Sequence, residues 1–153
     1  EAMLAKARGR LLPEERGRVE FVHARVEDWL EGDARPAGEA FDAVVTHFFL
    51  DCFSNQELQS LVPRLASRLR PGGVWVVSEF RTPSAPWWWR MAGRGLIAVM
   101  YGFFRITAGL QATELPDHRK PLREAGLVLP ADAERVALRG LLASELWHVP
   151  SCD

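Results

Sequence analysis

The chain reads as an α/β domain with a parallel sheet, and three features predict it. Residues 41–47 (FDAVVTH) and 74–80 (VWVVSEF) are almost continuously apolar over their centres, as are strands covered by helices on both faces. The segment between them has helical periodicity. Strand and helix patterns therefore alternate along the chain, which points to a layered α/β fold.

The elements follow in order. Residues 2–12 predict a helix with Met3, Leu4, Ala7 and Leu11 on one face, stopped by Pro13. Residues 19–24 (VEFVHA) are rich in β-formers and predict a strand, and residues 41–47 predict the next. Ser54 with Glu57 fits a capping box, in which each side chain satisfies a free amide of the first turn. Leu58, Leu61, Val62, Leu65, Ala66 and Leu69 then recur at helical spacing. Pro63 should kink this helix, because proline removes a backbone hydrogen bond. Arg70-Pro71-Gly72-Gly73 is its stop signal, and residues 74–80 form a third buried-type strand. Residues 81–86 read as a loop, 87–108 as a long apolar helix and 115–125 as a helix before Gly126. Residues 127–138 and 141–149 (LLASELWHV) read as two closing strands.

A length of 153 residues, 48% hydrophobic and 25% charged, predicts one globular domain. The formal net charge of -1 gives no basic footprint for nucleic acid. Cys52 and Cys152 are far apart and form no CxxC pair, so no zinc or redox site is expected. They read as reduced thiols of a cytoplasmic protein. No spacing of His, Cys and acid suggests a metal. The first residues are a charged helical pattern rather than a signal peptide. The longest apolar run, residues 95–104, is bracketed by Arg94 and Arg105. A membrane span needs about 20 apolar residues.

FDAVVTHFFLDCFS, a helix and LRPGGVWVVSEF together resemble the fourth and fifth strands of the class I S-adenosylmethionine-dependent methyltransferases. VEFVHARVEDW resembles their third strand and adenine-binding turn, EAMLAKAR the helix after their second strand, and LLASELW their closing antiparallel strand. The resemblance implies a Rossmann-like sheet of order 3-2-1-4-5-7-6. It also implies that residues 1–153 are one partial methyltransferase domain, with a helical insertion at about 87–108. The family's glycine-rich loop and first two strands have no counterpart, and a longer native chain is expected to carry them. The implied activity is methyl transfer from S-adenosylmethionine to a small, apolar or aromatic acceptor. The alternative is a non-catalytic methyltransferase-like module for binding or assembly. A nucleotide-dependent oxidoreductase with a similar sheet is disfavoured by the PGG turn and the LLASELW strand.

Methyl transfer from a sulfonium needs alignment and exclusion of water more than catalytic side chains. In open α/β sheets ligands bind beyond the carboxyl ends of the strands. By resemblance, Ala24, Arg25, Val26, Glu27, Asp28 and Trp29 form the adenine turn, with the Val26 amide at a ring nitrogen and Trp29 over the adenine face. Their structural alternative is a solvated helix start with a core aromatic. Thr46, His47 and Phe48 would face the methionine portion of the cofactor. His47 or Asp51 could serve as general base, or instead as a hydrogen-bonded histidine and a turn residue. Glu79 would reach the acceptor pocket, or form a salt bridge with a neighbour such as Arg81.

In residues 87–108, Arg90, Arg94, Tyr101 and Arg105 share a narrow arc on an otherwise apolar helix. Three readings stay open: a lid over the acceptor pocket, peripheral membrane contact, and a helix packed on the sheet or in a dimer.

Overall fold

The computed structural model describes residues 2–32, 40–82, 87, 88, 91, 93, 95, 99 and 115–151. Two compact units are present, Glu1–Arg35 and Pro36–Asp153.

The first unit holds helix α1 (Ala2–Arg8), a 3-10 turn (Pro13–Glu15) and helix α2 (Val26–Gly32). α1 is shorter than the sequence predicts. It ends before Gly9, and none of its residues is buried, so little packing is available to hold a longer helix. In α2, Leu30 is buried, and Glu27 and Asp28 lie in the first turn, where negative charge complements the helix dipole. Residues 19–24 are not a strand. A β-rich run becomes one only when a neighbouring chain takes up its amides and carbonyls. Among the described residues no ladder includes them, and Val19 and Val22 are exposed. Phe21 instead lies under the Arg8 guanidinium, 5.4 Å from its ring centre.

The second unit contains β1 (Phe41–His47), α3 (Asn55–Ala66), β2 (Leu69–Phe80), α4 (Arg119–Glu124), β3 (Glu134–Ala137) and β4 (Leu142–His148). The sheet order is β1-β2-β4-β3. β1 runs parallel to β2, and the other pairs are antiparallel. This is the 4-5-7-6 run of the order that the resemblance implies.

Period-two alternation puts Trp75, Val77 and Glu79 of β2 beside Trp147, Glu145 and Ala143 of β4 on one buried face. Trp75 and Trp147 are direct partners, and neither is exposed. Leu58, Leu61, Val62 and Leu65 of α3 and Leu122 of α4 complete the core, and the two helices pack together. Burial on both faces, expected for residues 41–47, does not hold. β1 pairs with β2 alone among the described residues, and Val45 is 57% exposed.

The capping box at Ser54 and Glu57 is present in both directions. The helix continues through Pro63 to Ala66. Pro63 and Gln59, whose carbonyl loses its partner, are both exposed, so water can replace the missing bond. The PGG segment is not a turn outside the strand. It is an irregularity within β2: Phe41 aligns with Leu69 and Ala43 already with Val74. Gly72 adopts φ +74. A side chain at Gly73 would place its Cβ 2.8 Å from the Arg70 carbonyl and 3.2 Å from that of Asp42. Val149 anchors this bulge through bonds to Gly72 and Gly73.

The helix expected over 115–125 is reduced to Arg119–Glu124, and the strand expected over 127–138 to Glu134–Ala137 plus one bridge at Val128. The helix read at 87–108 lies mostly outside the described residues, as do Arg90, Arg94, Tyr101, Arg105 and Cys152. Its described positions, among them Trp87, Met91 and Val99, are helical. Among the described residues no helix is long and apolar enough to cross a membrane.

Candidate active site

Because β1 and β2 are parallel, their carboxyl ends open on the same side of the sheet, where ligands of such folds bind. His47 pairs with Ser78 at this end. The next residue, Phe48, turns the chain with φ +50, a conformation that costs a non-glycine residue about 1 kcal/mol or more. Several contacts hold it there. The Phe48 amide donates to the Ser78 carbonyl at 2.8 Å. Its ring lies 4.7 Å from that of Phe80. The next two amides, of Phe49 and Leu50, both donate to Glu79 Oε1, at 3.1 and 2.8 Å. A 3-10 turn (Leu50–Cys52) then leads to the Ser54 cap.

Glu79 and Asp51 are both buried and lie side by side. Glu79 Oε2 receives no donor from the described groups. Two ionised carboxylates would repel, whereas one proton between them makes a hydrogen bond. Burial, with help from the Asp51 charge, pushes Glu79 up to about 7 against the pull of the Leu50 and Phe49 amides and of His118. Burial also raises Asp51, against the bonds it makes with Cys52 and Glu79. The Cys52 thiol is pushed to about 11 by burial and by Asp51, so it is no nucleophile at neutral pH.

A second buried acid, Glu145, lies on the same sheet face. It accepts from Arg119 Nε at 2.7 Å and Trp147 Nε1 at 2.8 Å, and His118 Nε2 lies 3.3 Å from it. Burial pushes its carboxyl up, but His118, Arg119 and Trp147 outweigh this and hold it at about 2. Arg119 Nη2 also reaches Glu134 Oε1 at 2.7 Å, and Arg81 bonds the same oxygen. A cleft of about 300 Å³ opens against this network, with Phe80, Leu115, Pro116, His118 and Ala143 in its walls. Sequence reasoning missed Glu145, Glu134, His118 and Arg119. The alternation of LASELWH carried a signal for one: Glu145 stands two residues from Ala143 and two from Trp147, so it must share their buried face.

The predicted site residues separate into groups. Asp51 and Glu79 come together. Arg81 pairs with Glu134 rather than Glu79. Thr46 is buried, and its hydroxyl accepts from Trp75 Nε1 at 3.0 Å, which makes its side chain part of the core. His47 is exposed on the opposite face and bonds neither carboxylate among the described residues. Ala24, Arg25, Val26, Glu27, Asp28 and Trp29 belong to the first unit. Ala24, Arg25 and Asp28 are exposed there, Arg25 pairs with Glu27 at 3.6 Å, and Trp29 is half-buried. Among the described residues no cluster of side chains suits a metal ion. The mouth at Phe48 and Phe80 is aromatic and partly open. Such a surface fits a sulfonium, which is a cation with an apolar skin.

Residues 1–73 match the family model of the methyltransferase domain. No curated protein matches the chain by sequence. Among solved structures, the fold is similar to an O-methyltransferase family protein from Burkholderia thailandensis, with TM-score 0.63 and 21% identity over 97% of this chain and 41% of that one. It is similar to the S-adenosylmethionine-dependent methyltransferase SibL, with TM-score 0.62 and 20% identity over 97% of this chain and 40% of that one. It is also similar to human N-acetylserotonin methyltransferase, with TM-score 0.55 and 18% identity over 96% and 38%. The chain spans about two fifths of the length of these structures. At such identities the likeness is one of fold. The resemblance to the class I methyltransferases is borne out: residues 1–73 match their domain, and the described strands have their order and directions.

Proposed function

We propose that the protein transfers the methyl group of S-adenosylmethionine to a small, apolar or aromatic acceptor. The observation that carries this reading is the Phe48 turn, strained and exposed at the end of β1 and fixed by Glu79 of β2. Strain of this kind concentrates where a ligand is held. The match of residues 1–73 and the fold support it, as does the human N-acetylserotonin enzyme, whose structure contains S-adenosylmethionine.

In this reading the backbone at Thr46, His47 and Phe48 holds the methionine portion of the cofactor. The bound cofactor supplies an already activated methyl. Asp51 acts as proton acceptor near the mouth. Glu79, at 2% exposure, acts as a positioning residue that fixes the turn. Calorimetry of the full-length protein with S-adenosylhomocysteine tests the proposal. Saturable heat at one equivalent is expected, and an absence of heat overturns it in favour of a non-catalytic module.

A further inference from the structure

We infer that the exposed face of the helix through Trp87, Met91 and Val99 docks on an anionic lipid surface, lying along it rather than crossing it. The inference stands apart from the methyltransferase reading, because it concerns an outer face and not the site.

Three observations carry it. The first is an apolar stripe. Trp87, Trp88, Met91, Gly95 and Val99 are all helical and exposed, the four large ones by more than half. At about 100° per residue they fall within an arc of about 120°. Gly93 is buried, and the same step puts it on the opposite side. The helix therefore packs by one side and offers the other to the outside. A Cβ built on Gly95 meets nothing within 4 Å, so no described residue covers the middle of the stripe. Apolar side chains exposed singly are ordinary, whereas four in one stripe about 18 Å long mark a docking surface.

The second is charge. Between Glu79 and Glu114 the sequence has no acidic residue and holds Arg81, Arg90, Arg94 and Arg105. Arg81 is committed to Glu134. The other three stand in a chain whose net charge is -1, so positive charge is concentrated in this segment. By the same helical step the sequence sets Arg90 and Arg94 in the arc directly beside the stripe. A twofold contact between two copies through this face would bring these like charges together. An anionic lipid surface pairs its headgroups with them while the apolar side chains enter the acyl boundary.

The third is residue type and length. Trp87 and Trp88 are adjacent and exposed, and an indole, with its apolar body and single N–H donor, favours the headgroup level of a bilayer. The apolar run 95–104 is too short to span one. Among the described residues no helix is long and apolar enough to cross a membrane. A helix with an apolar stripe and a basic flank lies in the interface plane.

The test is sedimentation of the full-length protein with vesicles, made either of equal parts phosphatidylglycerol and phosphatidylcholine or of phosphatidylcholine alone. Binding to the first is expected, and binding to the second should be weaker by about tenfold or more, since each arginine near an anionic surface is worth about fivefold. Trp87→Ser with Met91→Ser should weaken binding to the anionic vesicles about tenfold or more and leave thermal unfolding unchanged. In the wild type, phosphatidylglycerol brominated along its chains should quench indole emission that the plain lipid leaves intact, a readout that needs no variant. No binding by the wild type, equal binding to the two vesicles, no quenching by bromine, or unaltered binding by the folded double variant overturns the inference. So does a dimer in sedimentation equilibrium that the double variant disperses, which would make a second copy the occupant of this face.

Discussion

The carboxylate of Glu79, near the end of β2, holds the amide of Leu50 at 2.8 Å, and so ties the turn after β1 to the neighbouring strand. The same oxygen takes the Phe49 amide. Glu79→Ala leaves both amides without their acceptor in a buried place. A loss of about 3 kcal/mol in urea unfolding is expected. Glu79→Gln keeps an amide oxygen for the two donors and should lose less than about 1 kcal/mol. Equal losses for the two variants would show that the clamp is not what Glu79 contributes.

Stability should depend on pH with opposite signs at the buried acids Glu145 and Glu79. Glu145 is lowered from 4.5 to about 2, so its contribution is complete above its ordinary value and lost as pH falls toward 2. Glu79 is raised from 4.5 to about 7. Its contribution is therefore present below its ordinary value and lost as pH rises through 7. Urea midpoints should decline between pH 4.5 and 7 in the wild type. The decline should be smaller in Glu79→Gln, which removes this carboxyl and leaves the raised Asp51.

Thr46→Val removes the acceptor of the Trp75 indole N–H, which is fully buried. A loss of about 1–3 kcal/mol is expected, read by thermal unfolding. A neutral result would mean that the indole finds another acceptor.

Gly73→Ala should cost about 1–3 kcal/mol. The new methyl would meet backbone oxygens rather than a side chain that could swing away. Thermal unfolding checks this, with Gly17→Ala as the control, because nothing lies within 4 Å of a side chain there.

Phe48→Gly relieves the left-handed strain and removes the ring that stacks on Phe80. These effects oppose each other in stability, which should change by less than about 1 kcal/mol. The heat with S-adenosylhomocysteine should weaken about tenfold if the ring forms part of the cofactor wall. Unchanged affinity would move that wall elsewhere.

The fold was legible where a local rule was enough. The capping box at Ser54 and Glu57 and the apolar repeat after it specify α3 without outside help. Residues 41–47 are β1 as read, and 141–149 differ from β4 only at the ends. Residues 19–24 failed because β-formers do not pair with themselves. The PGG segment misled because proline and glycine mark an irregular backbone without saying whether the strand continues past it. Asp51 and Glu79 were legible as strand-end acids, but not as buried neighbours. Their proximity follows from the register of β1 on β2, with His47 opposite Ser78. His118 and Glu145 are 27 residues apart and meet only through tertiary folding, so no spacing rule could join them.

The partnership of Trp75 with Trp147 has an optical consequence. An indole shut away from water fluoresces at shorter wavelengths than a wet one, and these two rings are both fully enclosed across the β2–β4 pair. Their emission should hold its colour while that pair is zipped and redden when it opens. Trp87, 77% exposed, already meets water and should be open to acrylamide quenching from the start. One residue type therefore gives the protein separate optical signals for its sheet interior and for its surface.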